Sequence, residues 1–476
     1  MEKAAISEPN TTAKNPLGYQ PIGKLLRSFA LPAIISCLVN SIYNIVDQIF
    51  IGQGVGYLGN AATTISFPIM TVLAAFATLV GTGGSAYAAL KLGEKKEEAA
   101  QKTLNNVLVL GLILSAAIMV VGLLALDPML RMLGATEASL PYAHDYAFVI
   151  LLGTPFSIIS IALSNMARTD GSPNLSMYSI LIGAVLNTIL DPVYIFVLHW
   201  GVTGAAIATI TSQLISTIVL TVYFARKGKS MQFHKKYMRL SGRVCKMTFM
   251  LGISSFVTQV VACVMQVVMN NTLVYYGNQS AVGGDVALSA MGIVMKVAMI
   301  LASACIGIGI GAQPILGFNR GARQPKRIKQ TYVMAAWIST AVVSVAGLLC
   351  QLFPEQILNL FGSEDANFTA FAIKAMHIAL IGIFCSGFQI VSTSYFQATG
   401  QPLKATILSM LRQMLLLIPM MLIMPLFFGL DGVLFAFPIA DIGSAVIVAF
   451  FMVYEMKKLN RWIRQEDEGQ LIMADI

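Results

Sequence analysis

Charge is scarce in this chain. Asp, Glu, Lys and Arg make up 11% of its 476 residues against 57% apolar residues, and the mean hydropathy is +0.75. Soluble domains carry about a quarter charged residues, so a pair of soluble domains is excluded and the bilayer is the expected solvent. Cysteine is sparse and unpatterned. Cys37, Cys245, Cys263, Cys305, Cys350 and Cys385 show no CxxC or Cys/His spacing, and most fall in apolar runs, which reads as reduced packing residues and not a metal or disulfide framework. HExxH, GxSxG, paired-aspartate protease and Walker patterns are missing too, so neither an enzyme nor an ATPase is expected, and no cofactor. A cleavable signal is equally missing: the first apolar run leads into Asn40, Asn44 and Asp47 instead of a small-residue cleavage site, so it is expected to remain as an anchor.

What is present is a series of long apolar stretches. A helix needs roughly 20 such residues to cross about 30 Å of hydrocarbon. Stretches of that kind lie at about 28–51, 63–90, 104–126, 146–167, 175–198, 202–225, 247–276, 286–318, 331–353, 371–398, 403–428 and 432–455. These are twelve spans, six in each half.

The halves are also one design written twice. Gly81 to Lys96 returns as Gly309 to Gln324, at an offset of about 228 residues. The same offset relates Met129–Gly134 to Ile357–Gly362, RTDGSP at Arg168–Pro173 to QATGQP at Gln397–Pro402, and GVTGAA at Gly201–Ala206 to GLDGVL at Gly429–Leu434. A repeat this long is a duplicated domain. The expected fold is an all-α integral membrane protein, with twelve transmembrane helices forming two six-helix lobes related by a pseudo-two-fold along the membrane normal. In an apolar chain this is the plan of a transporter whose substrate path runs between the repeats. The expected divisions are an amino-terminal tail 1–27, a first lobe 28–225, a basic linker 226–246, a second lobe 247–455 and a carboxy-terminal tail 456–476.

A net charge of +9 raises the question of nucleic acid, and the placement of the basic residues answers it. They gather at the termini and in the even-numbered connections, as at Lys91–Lys102, Arg168, Arg226–Lys246 and Arg320–Lys329. The odd-numbered connections carry acids such as Asp127, Glu137, Asp145, Asp285, Glu355, Glu364, Asp365 and Asp431, with Arg131 and Lys374 as their basic members. By the positive-inside rule, both termini are expected on the cytoplasmic side of the cell membrane. Alternation with span parity is not the footprint of a nucleic-acid patch. The linker segment KGKSMQFHKKYMR has two readings, a short basic interfacial helix on anionic lipid and a solvated loop.

Polar groups within spans are costly and functional by default. The candidates are Asp47, Asp191, Lys296, Arg412 and Asp441. At 1.5 Å per residue, Asp47 lies about 28 Å along span 1 and Asp191 about 24 Å along span 5, from the same side. Asn187 shares a helical face with Asp191, as Tyr43 does with Asp47, and Thr209 in span 6 reaches the level of Asp191. Such a set of oxygen donors can hold a small cation such as Na⁺, or its carboxylates can take up protons. The bland reading is that Asp191-Pro192 ends a helix near the surface and Asp47 caps the next loop. Lys296 and Asp441 lie at similar depths, about 15 Å and 14 Å from the other side, and Arg412 is near enough to compete, so either cation could pair with Asp441. The repeat sets Val267, Leu416 and Met420 opposite Asp47, Asn187 and Asp191, so the ion site is not duplicated. The second half is instead rich in methionine, including Met291 and Met295, with Gln259 and Gln266 nearby. An adaptable thioether wall suits varied ligands; ordinary core filling is the alternative.

Tyr43-Asn44-Ile45-Val46-Asp47 and Leu186-Asn187-Thr188-Ile189-Leu190-Asp191-Pro192, preceded by ARTDGSPN at Ala167–Asn174, resemble motifs of the MATE multidrug exporters, in their DinF/MepA-like branch. The resemblance covers roughly Gly23 to Lys458. It implies a V-shaped pair of lobes, alternating access, and export of cationic amphipathic drugs or dyes against inward Na⁺ or H⁺ by a monomer in the bilayer. It also implies ion coupling at Asp47, Asn187 and Asp191, and helix bending at Pro32, which a first-turn proline would not cause. The glutamate that the NorM-like branch carries in span 7 is absent; that span offers Gln259, Gln266, Asn270 and Asn271. A lipid-linked glycan flippase of the wider exporter superfamily is the alternative, but it would be expected to place several cations in its cavity, where this sequence offers Lys296 and Arg412.

Overall fold

A computed structural model describes residues 15–359 and 366–474. Lys3, Lys14, Gly362, Glu364 and Asp365 lie outside them. Among the described residues there are seventeen α-helices and no strand. The first half contains α1 (Ile22–Val55), α2 (Tyr57–Gly93), α3 (Glu97–Leu124), the short α4 (Leu126–Met132), α5 (Leu140–Leu152), α6 (Thr154–Thr169), α7 (Pro173–Pro192) and α8 (Gly201–Arg226). The second contains α9 (Gly242–Asn278), α10 (Gly284–Gly321), α11 (Pro325–Leu352), the short α12 (Pro354–Asn359), α13 (Ala366–Ala379), α14 (Phe384–Ala398), α15 (Pro402–Met410), α16 (Ile418–Phe428) and α17 (Leu430–Ala474).

Ten helices are long and apolar enough to span alone, and two bent pairs bring the total to twelve. The bent pairs are spans 4 and 10, each expected as one rod. α5 meets α6 at 51°, and α13 meets α14 at 51°. At the first bend Gly153 packs against Ile210, and Pro155 removes a backbone donor. At the second, Gly382 packs against Asp441. Span 11 is interrupted by a π-helical turn, Leu411–Leu417, which carries Arg412. By contrast, α1 runs unbroken through Pro32.

The apolar cores define the shape. One large cluster joins residues of both halves, among them Leu25, Phe29, Val107, Met166, Ile315, Tyr332 and Tyr395. A small cluster of Ala86, Tyr87, Val244 and Leu251 also joins the halves, and two others are each confined to one half. One is built around Ile51, Leu73, Tyr146 and Val202 of the first half, the other around Met269, Val294, Met376 and Phe437 of the second. The lobes therefore share a core at the face that carries both ends of the described chain and part towards the opposite face. Glycine makes the shared end tight. A Cβ on Gly83 would strike the carbonyl of Thr248, and one on Gly252 that of Leu79, so α2 and α9 touch backbone to backbone. Gly93 and Gly321 repeat this contact between α2 and α10. Gln397 ties the seam, donating to Thr82 Oγ1 (3.2 Å), Ser255 Oγ (2.9 Å) and the Leu251 carbonyl (3.1 Å).

The linker is neither an interfacial helix nor a free loop. α9 already begins at Gly242, and between α8 and α9 the helical piece is the single turn Lys235–Tyr237, with the backbone around it bonded to the first lobe. Asp170 accepts from the Lys229, Ser230 and Met231 amides at 2.7–2.9 Å and from Tyr223 Oη at 2.7 Å. Asn105 Oδ1 accepts the His234 amide, and Asn106 Oδ1 the Ser241 amide. Removing a buried acceptor strands these donors at about 1–3 kcal/mol each. Asp170→Ala is accordingly expected to speed tryptic cleavage between Arg226 and Arg243 at least tenfold, read by a gel time course. The expected carboxy-terminal tail is helical as far as Ala474, because α17 continues into it, with Arg320 stacked 5.0 Å over the Trp462 ring.

Candidate functional site

Helices α1, α7 and α8 bring the first-lobe candidates together. Asp191 is fully buried, with Asn187 at 2% and Thr209 at 7% exposure. The reading of Asp191-Pro192 as a surface helix end is thereby corrected, since α7 runs to Pro192 and continues as the π turn Val193–Val197. Asn187 Nδ2 donates to Asp191 Oδ1 (3.2 Å) and to Thr209 Oγ1 (3.4 Å). The Asp47 carboxyl lies within hydrogen-bonding reach of Asp191. Tyr43 lines the same cavity as Asn187 and Thr209, and the buried Tyr146 turns its hydroxyl to Met70 Sδ (3.6 Å). Three buried oxygens here have no hydrogen-bond partner: Asp47 Oδ1, Asn187 Oδ1 and Asp191 Oδ2. Two adjacent carboxylates shielded from water repel strongly when both are ionised. Unfilled acceptors of this kind are what a proton or a small hard cation satisfies.

A cavity of about 250 Å³ runs from this cluster down the first lobe, lined by Asn40, Tyr43, Asn187, Thr209, Gln213, Asn165 and Arg168, with Ile310 contributed by the second lobe. Its polar lining follows helical stripes. Ser157, Ser160 and Ser164 line it from α6, Ser179, Gly183 and Asn187 from α7, and Ser212 and Ser216 from α8. These serines were legible in the sequence as i, i+3 and i, i+4 runs, yet sequence reasoning singled out only the Asn187 end. Tyr146 was also missed, being one phenol in the apolar first part of its span. Arg168 requires correction: expected in a solvated connection, it lies in the last turn of α6 at 6% exposure and faces the cavity.

The second-lobe candidates do not join this cavity. Met291 is fully buried in that lobe's core, and Met295 packs against the same core, so both serve as filling there. Gln259 and Gln266 are half-buried, and Gln266 bonds Asn270 one turn along its own helix (2.9 Å). Of the two pairings open to Asp441, Arg412 makes it; Lys296 is half-buried on α10 with no carboxylate within salt-bridge distance among the described residues. Asp441 is 2% exposed, and its backbone carbonyl accepts from Gln389 Nε2 (2.6 Å). Removing one partner of a buried pair costs about 3–5 kcal/mol because the other charge is stranded. Arg412→Ala is therefore expected to lower the unfolding temperature of purified protein markedly, and the double variant Arg412→Ala/Asp441→Ala to recover most of the loss.

A family profile described as MatE matches residues 32–193 and 258–423, one segment in each half. The chain belongs to the MatE family. It is 31% identical over 445 residues to the multidrug export protein MepA of Staphylococcus haemolyticus, covering 92% of this chain and 94% of that one. It is 27% identical over 438 residues to the MepA of Staphylococcus aureus strain MSSA476, covering 92% and 94%. Its fold matches a solved structure described as the outward-facing conformation of a multidrug resistance MATE family transporter of the MOP superfamily, with a TM-score of 0.89 at 23% identity, over 95% of this chain and 100% of that one. The MatE segments take in α1 and α7 with Asp47, Asn187 and Asp191, and extend in the second half from α9 into α16. They leave out the linker and α17.

Proposed function

We propose that this MatE protein is a secondary active multidrug exporter, expelling cationic amphipathic compounds in exchange for Na⁺ or H⁺ by alternating access. The observation that carries the reading is the Asp47–Asp191 pair with its unfilled buried oxygens, set beside the Asn187–Thr209 end of a cavity in the first lobe. In this reading, Na⁺ would be held by Asp47, Asn187, Asp191 and Thr209, or a proton would be taken by the carboxylate pair. Occupation removes the repulsion within the pair and favours one packing of α1, α7 and α8 over another. Only such a difference in affinity between states can drive the change. The cationic drug and the coupling ion then compete for the same negative charge. Both termini lie in the cytoplasm, so the tight glycine seam is the cytoplasmic seal and the parted lobes open outwards.

The MepA relatives carry the name of multidrug export, which supports the substrate class. The flippase reading is weakened, because Arg412 is spent on Asp441. The test is ethidium export by proteoliposomes under separately imposed Na⁺ and H⁺ gradients. Export is expected under one of them; export under neither, with inserted protein, would refute the exchange.

A further inference from the structure

Arg168 is a buried cation without an anion. Its guanidinium donates to Asn165 Oδ1 (2.8 Å) and Ser164 Oγ (3.3 Å), and no carboxylate lies within 4 Å among the described residues. Asp170, two residues on, is turned away and committed to the linker amides and Tyr223. A desolvated charge with two neutral partners is costly, and guanidinium has five donors, of which these bonds use two. The side chain nevertheless lines the first-lobe cavity and also the small space between Ser85, Gln313 and Pro314 at the lobe junction.

The internal repeat shows that packing does not require the charge. The residue in the same place of the second half is Gln397, a neutral amide that stitches the lobes together. The cavity is therefore bipolar. At one end Asn187 and Thr209 line it, with Asp191 hydrogen-bonded behind Asn187, and at the other stands one guanidinium without a carboxylate partner. Ser176, bonded to Ser164 beside Arg168 (2.6 Å), and Asn187 are eleven residues apart on α7, about 16 Å at helical rise.

We propose that Arg168 forms an anion subsite in the first-lobe cavity, taking a monoanionic group, such as the carboxylate of a zwitterionic amphipathic substrate, whose cationic end points towards Asp47 and Asp191. This rests on the reading of that cavity as the substrate site and assigns to Arg168 the group that orients a zwitterionic substrate within it. The planar fork of arginine suits a carboxylate in two-point contact. A free halide could meet the same charge as a single point.

The test is direct binding of radiolabelled 11-aminoundecanoic acid and of its methyl ester to the purified full-length protein, in chloride and in gluconate buffers. The acid carries charges at both ends of an apolar chain; the ester keeps only the ammonium. The acid is expected to bind at least tenfold more tightly than the ester in gluconate, and Arg168→Gln to erase that preference while Arg168→Lys keeps part of it. If chloride weakens the acid in the wild type and not in Arg168→Gln, free halide uses the subsite as well; if it does not, the subsite is reserved for carboxylates. Equal binding of acid and ester to the wild type overturns the proposal, and needs no variant to do so. Failure of both compounds to bind would instead count against the cavity as the substrate site.

Discussion

Asp191→Asn and Asp47→Asn are each expected to give an inserted, folded protein whose gradient-driven ethidium export falls to that of protein-free liposomes. An amide neither releases a proton nor offers the charge that holds Na⁺. The fold should not suffer. Asp191 is fully buried beside a second carboxylate, and a buried carboxylate costs several kcal/mol relative to a neutral group of the same shape. The purified Asp191→Asn variant should therefore unfold at a temperature no lower than the wild type, a site maintained at the expense of stability. Export at the wild-type rate and membrane abundance by either variant would remove that residue from the coupling site.

The second large effect is expected at the glycine seam. Gly252→Leu inserts a side chain where even a Cβ collides with the Leu79 carbonyl, and the obstacle is backbone, so no rotamer change relieves it. Overpacking of this kind costs about 3 kcal/mol, on the order of a 100-fold loss in the population of the closed arrangement. Spin labels at Glu94 and Arg323, next to the Gly93–Gly321 contact, should report a wider gap, and export should collapse with it. Gly292→Ala is the control, since a Cβ there meets nothing. An unchanged label distance in Gly252→Leu would mean that the seam is not what holds the lobes together.

How much of this could be read from the chain follows from what the bilayer demands. Twelve spans were legible because each crossing needs its own apolar length, and the two-lobed fold because the repeat is long. The bends in spans 4 and 10 were not. A glycine that allows a close approach at Gly382, against Asp441, looks in sequence like any other glycine. The Asp47, Asn187 and Asp191 cluster could be placed by helical rise because all three lie in regular helices. The partner of Asp441 could not, since Lys296 and Arg412 reach similar depths and only the packing at the π turn decides. Arg168 was misplaced because a charge beside a Gly-Ser-Pro turn resembles a loop residue, whereas the helix runs two residues further than the sequence suggests, to Thr169. Asp170, in the same motif, has a part that only the folded linker reveals.

In the proposed mechanism ion occupancy acts through the first lobe alone. Hydrogen exchange of the drug-free protein, measured with and without Na⁺ and at neutral and acidic pH, tests it most directly. Changed protection is expected along α1, α7 and α8 around Asp47, Asn187 and Thr209, with little change around Val267 in α9 and Met420 in α16. An equal response in both lobes before any drug is added would contradict it.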